Sequence, residues 1–165
     1  MKAPGSEKTV RLSLLDRLVD EKPKISMDES MSWRESVNRL KVSVRHDLEW
    51  LLNTRRIPET APESFREVNR SLYHYGFPDI TSMGRDSREV RARLMRQVEE
   101  TIAMFEPRLA GVRVSLNETN DDGKRQLRFL IEGVLRMEPN PERVVFDTVL
   151  EISSGEYTVR GDGGA

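Results

Sequence analysis

Thr101 to Val114 reads TIAMFEPRLAGVRV, an amphipathic helix that stops at Glu106-Pro107-Arg108 and gives way at once to a β-strand. Proline lacks the N–H a helix needs, and its ring collides with the carbonyl four residues back. It also disfavours helical geometry in the residue before it, so the break is encoded locally. One acid and one base, Glu106 and Arg108, are thereby fixed at a rigid helix-to-strand corner. Such a corner reads as an attachment point rather than an active site.

On the N-terminal side of the corner the apolar period is helical. Val90, Leu94, Val98, Ile102 and Phe105 recur at steps of three and four, predicting a helix over residues 87–105. Asp86 is its expected N-cap, with Glu89 completing a capping box. A longer helix is predicted over 33–53 from Trp33, Val37, Leu40, Val44, Leu48 and Leu51, with Ser32 and Glu35 as capping box. Asn53 and Arg55-Arg56-Ile57-Pro58 end it, with positive charge toward the negative end of the helix dipole. Between the two helices, residues 65–83 hold a helical turn or two closing at Gly76. There Gly76-Phe77-Pro78-Asp79 signals a turn with Phe77 pinned beneath it.

Beyond the corner the period becomes two. Val112, Val114 and Leu116 alternate with polar residues, and so do Leu127, Phe129, Ile131, Gly133 and Leu135. The same holds for Val144, Phe146, Thr148, Leu150 and Ile152. The turns are Asn120-Asp121-Asp122-Gly123, Pro139-Asn140-Pro141 and Ser153-Ser154-Gly155, the last leading into a short strand from Glu156 to Arg160. Sequential strands joined by tight turns predict an antiparallel meander. The expected class is α+β, with N-terminal helices packed on one face of a small antiparallel β-meander. Three regions are expected: an N-terminal arm with a short docking helix (1–30), the α+β domain (31–160) and a flexible Gly-rich tail (161–165). In the arm, Leu12, Leu14, Leu15, Leu18 and Val19 form one apolar turn before Pro23. A short helix of this kind suits docking of a partner and packing on its own domain about equally.

The 165 residues suit one domain with an appended arm. Charged residues make up 33% and hydrophobic ones 36%, so the surface is unusually charge-rich for a chain with a single core. No run approaches the roughly 20 apolar residues of a membrane span, and MKAPGSEKTV has no apolar signal-peptide core. The absence of cysteine excludes disulfides, Cys-ligated zinc and thiol catalysis. A net charge of −1 gives no overall attraction to nucleic acid or acidic lipid. The basic residues of the two helices (Arg39, Lys41, Arg45; Arg88, Arg91, Arg93, Arg96) are interspersed with acids and lack an aromatic platform, which favours a solvated or protein-facing surface.

Six segments, in order, carry a family resemblance: SLLDRL (13–18), DLEWLLNTRR (47–56), YGFPDITS (75–82), MFEPRL (104–109), IEGVLRMEPNPERVVFDTVLE (131–151) and SGEY (154–157). With these the chain resembles the TssE family of type VI secretion baseplate subunits, part of the wider group of phage-tail baseplate wedge proteins. The resemblance implies a structural, non-enzymatic role beside the wedge subunits TssF and TssG. It also implies a module like that of the sheath subunits TssB and TssC, able to start sheath polymerisation by strand addition. The implied place is a cytoplasmic baseplate docked at the inner face of a membrane complex. No cofactor, metal, nucleic acid or small-molecule substrate is implied.

The resemblance makes Glu106, Pro107 and Arg108 the signature that holds assembly contacts, by charge-assisted bonds to partners or as a structural pair shaping the contact loop. Without it, a solvated pair worth roughly 0–1 kcal/mol would be the simpler reading. Asn53, Arg55 and Arg56 form a second candidate partner-binding patch, though simple C-capping uses the same residue types. Lys124, Arg125 and Arg136 fit gatekeeper charges at a sheet edge. The competing reading is a peptidoglycan-cleaving, lysozyme-like glycosidase, a label some phage relatives have carried. It needs two carboxylates about 5–10 Å apart, such as Glu106 with Asp79 or Glu49, and a charge-rich chain supplies such pairs by chance. His46 and His74 lack metal-ligand spacing.

Overall fold

A computed structural model describes residues 10, 13–19, 32–59, 61–78, 88–116, 126–151 and 153–161. In chain order these hold α1 (Leu14–Leu18), α2 (Trp33–Asn53), α3 (Arg66–Asn69), a 3-10 turn (Leu72–His74) and α4 (Arg88–Phe105). Strands β1 (Leu109–Leu116), β2 (Gln126–Leu135), β3 (Glu142–Glu151) and β4 (Glu156–Arg160) follow. They form one antiparallel sheet in the order β1-β2-β3-β4, the expected meander. The fold is α+β, with its helices N-terminal to its strands.

The sheet's inner face follows from the alternation. Ile131 pairs with Phe146, Phe129 with Thr148, and Thr148 in turn with Val159, so the buried side chains line up across three strands. Onto that face α2 brings Leu40, Val44, Leu48, Leu51 and Leu52, and α4 brings Leu94, Val98 and Ile102. Burying each of these side chains is worth about 1.5–3 kcal/mol. Trp33, expected on the core stripe, is only half-buried; Ser36 and Ser43 lie on the buried side of α2 instead.

The local signals act largely as their chemistry dictates. Ser32 and Glu35 form the capping box of α2, with the Ser32 N–H donating to Glu35 Oε2 at 2.9 Å. Gly76 has φ +101°, and a Cβ there would lie 2.3 Å from the Thr54 carbonyl oxygen. This close approach lets the Phe77 N–H reach Thr54 O (2.7 Å) and the Arg56 N–H reach Phe77 O (3.0 Å), tying the α2 exit to the loop. Phe77 is buried beneath it, edge-on to Tyr157. Asp86, the turn at 120–123 and Lys124 and Arg125 lie outside the described residues.

β1 departs from simple alternation. Leu109 and Val112 are both buried although three residues apart, because a register shift between Ala110 and Arg113 inserts a bulge. Gly111 supplies the left-handed conformation at that point (φ +61°).

Candidate functional site

The corner is a tight turn. The Glu106 N–H makes the last helical bond to Ile102 O (2.8 Å), and Glu106 O accepts from the Leu109 N–H (3.1 Å). Pro107 is exposed at the turn's second position, where its fixed φ fits. Glu106 itself is buried, at 4% exposure, and its carboxylate folds back on the turn. Arg108 donates through Nε to Glu106 Oε1 at 2.6 Å and through Nη2 to Glu106 Oε2, a two-pronged pair; its backbone N–H also reaches Oε1 (3.2 Å). Such bidentate pairing fixes geometry as well as supplying energy.

The guanidinium does not stop at Glu106. Nη2 also meets Asp47 Oδ2, and Nη1 donates to Ser43 Oγ at 3.1 Å, both on α2. Ser43 passes the bond outward, its hydroxyl donating to Asp16 Oδ2 at 2.6 Å. Asp16 belongs to α1, where Ser13 caps the helix and donates to the same oxygen at 2.6 Å. A second tether sits two helical turns back, where the Val10 N–H donates to Ser36 Oγ (3.2 Å). The corner is therefore the inner end of a relay, Glu106 to Arg108 to Ser43 to Asp16, that holds the N-terminal arm on α2.

The electrostatics follow the geometry. Burial alone would lower the Arg108 pKa, but Glu106 and then Asp47 raise it above the ordinary arginine value, so the charge is permanent. For Asp16, burial works upward, and the hydrogen bonds from Ser13 and Ser43 outweigh it and hold the carboxyl below its usual value. Burial first, then the charges of Asp47 and Glu106, push the Tyr75 phenol up. Its ring stacks edge-on against Phe105 at 5.2 Å.

What the relay displays is apolar. With Asp16 turned inward, Leu14 (74%), Leu15, Leu18 (81%) and Val19 face solvent. An amphipathic turn held by its polar side, with its apolar side outward, inverts the usual arrangement of a surface helix.

The second expected group, Asn53, Arg55 and Arg56, sits at the far end of α2. The C-cap is Thr54, not Asn53. Asn53 instead takes both backbone groups of Tyr157: its Oδ1 accepts the Tyr157 N–H and its Nδ2 donates to Tyr157 O, each at 2.8 Å. Arg55 and Arg56 lie past the helix end, in the strip bridged to Phe77, and the last turn of α2 holds no basic residue. Arg55 borders an open groove with His46, Glu49, an exposed Trp50 (67%) and the Ser154–Tyr157 turn. Of the acids a glycosidase would use, Glu106 has both oxygens taken by Arg108, Glu49 lines this groove, and Asp79 lies outside the described residues.

Sequence reasoning found the corner but missed Ser43, Asp47 and Asp16, which give it its reach. The available signal was two serines, 36 and 43, seven residues apart in an otherwise apolar stripe.

The helix-backed meander thus carries a corner whose charges brace a leucine-bearing arm. The chain belongs to the baseplate wedge protein gp25 family, whose model matches residues 38–140, from α2 through the β2–β3 turn. Its place is thus among the structural components of phage-tail-like baseplates. Among curated proteins, no match was found. No described helix is long and apolar enough to cross a membrane.

Proposed function

We propose that this chain is a non-enzymatic, TssE-like subunit of a type VI secretion baseplate, which joins wedge subunits (TssF, TssG) to the first ring of sheath subunits (TssB, TssC). The observation that carries the reading is the relay from Glu106 to Asp16, which spends the signature charges on presenting an apolar helix. Glu106 and Arg108 then act as the clamp, and Leu14, Leu15, Leu18 and Val19 as the surface the wedge subunits cover, with Pro107 exposed at the corner itself. Arg55, which shares a groove with Trp50, and Arg56 form a second contact at the α2 end. The margin of β4 receives the sheath strand, since an edge strand is a template for a further one. Such a subunit works in the cytoplasm, at the inner face of the membrane complex.

The test is capture of the cognate wedge and sheath subunits by tagged full-length protein, run beside Arg108→Ala and the double change Leu14→Ser, Leu18→Ser. The wild type recovers both classes; each variant loses the wedge subunits. Recovery of neither class by the wild type, with peptidoglycan cleavage by the purified protein, would replace this reading with the glycosidase one.

A further inference from the structure

The far end of α2 forms one wall of an open groove of about 520 Å³, and the turn into β4 forms the other. Its floor is rigid. Phe77 and Tyr157 are both buried and meet edge-on at 5.7 Å. The Asn53 amide holds both backbone groups of Tyr157 at 2.8 Å, which ties the two walls together. A groove set in shape beforehand loses little conformational freedom when it binds.

On the rim, Trp50 keeps 67% of its surface exposed, with the His46 ring one turn back at 6.0 Å. Tryptophan carries a large apolar area with a negative ring face and is enriched where proteins meet. The charges left open around it are negative. Glu49 of α2 and Glu156 of the turn line the groove, and among the described residues neither carboxylate has a hydrogen bond or ion pair. Arg55, which also lines it, is not free to answer them. The last turn of α2 ends here without a basic residue, so the helix dipole adds to the negative potential.

We propose that this groove takes an arginine side chain of a wedge subunit, its guanidinium stacked on the Trp50 indole and its N–H edges shared by Glu49 and Glu156. The inference rests on the reading of this end of α2 as a contact, and it names what the contact recognises. A flat cation with several donors suits one aromatic face between carboxylates on two walls. A lysine ammonium is a compact, strongly hydrated point charge and uses that arrangement less well. Nucleic acid and acidic lipid are repelled by the same two acids.

The experiment titrates the full chain, followed by its amide and indole NMR signals, with acetyl-Ala-Arg-Ala-amide. A second titration uses the same peptide carrying citrulline, which keeps the shape and lacks the charge. The arginine peptide should bind with a Kd of about 1 mM. Its shifts centre on the Trp50 indole N–H, Gly155 and Glu156 and leave the Trp33 indole unmoved, while citrulline gives none. Glu49→Gln with Glu156→Gln weakens binding about 5–10-fold, and Trp50→Leu about 3–5-fold. None of these three residues is buried, so the variants stay folded. The same variants capture less of the wedge subunits. No shift at about 10 mM arginine peptide, shifts scattered over other acids, or equal binding of citrulline overturns the proposal. If Trp50→Leu nonetheless loses wedge subunits, the end of α2 remains a contact of another chemistry. Self-association of the chain that Trp50→Leu abolishes makes the occupant a second copy and overturns the assignment to a wedge subunit. If the wild type binds the peptide and captures no wedge subunit, the underlying reading fails and the arginine site stands.

Discussion

Arg108 shows why a charged signature need not be a charged surface. Its guanidinium is divided between Glu106, Asp47 and Ser43, and Glu106 is buried. Removing it strands a carboxylate, which is costly whether or not the intact pair is strongly stabilising. Arg108→Ala should lower unfolding free energy by about 2–4 kcal/mol in urea titration. It should also raise amide exchange across α1, which α2's own helix would not share. Unchanged exchange in α1 would break the relay at Ser43. Gly76 offers the sharper steric test: with φ +101° and a carbonyl 2.3 Å from a nascent Cβ, Gly76→Ala should cost at least about 2 kcal/mol. Gly111→Ala meets nothing within 4 Å and should cost only about 1 kcal/mol, the left-handed penalty alone. Thermal unfolding of the two variants side by side checks the ordering. Glu106 and Arg108 stood out in the sequence because proline isolates them. Their partners did not, since Asp47 lies 61 residues from Arg108 and only packing brings it there.

Among the elements, the two long helices and the first three strands were readable from period, because each buries one face and its apolar spacing records which, while the turn at Ser153-Ser154-Gly155 announced the fourth. Two things escaped. The β1 bulge hides within LAGVRV, where Val112 and Val114 mimic plain alternation and only Gly111 hints at the extra residue. The strand therefore starts at Leu109, closer to the corner than alternation suggests. The other is the orientation of α1. Its leucines could equally face the core or solvent, and the choice is made by Asp16 meeting Ser43. Since those leucines touch solvent, Leu18→Ser should shift unfolding free energy by no more than about 0.5 kcal/mol. It should nevertheless abolish wedge capture. A large fall in melting temperature would instead place Leu18 in the free protein's core.

For the whole molecule, the arm and the sheet answer to different conditions. Asp16 has its pKa below the ordinary 3.8, so its charged form favours the docked arm. That contribution is fully present above the unfolded-state value and is lost as pH falls below it, through the folded-state value. Acidification below about pH 4 should therefore loosen α1. The same release should follow from Asp16→Asn at neutral pH, where exchange or limited proteolysis of the arm would show it. The sheet, held by Phe129, Ile131, Phe146 and Leu150 with no ionised group among them, should keep its far-ultraviolet signature over the first part of that range. The latch at Tyr157 adds a matter of timing. Asn53 and Tyr157 are 104 residues apart, so closing this contact draws α2 and β4 together at a loop-closure cost. Until β4 has been made, the end of α2 lacks this partner, and the last strand of the chain therefore also secures its first long helix.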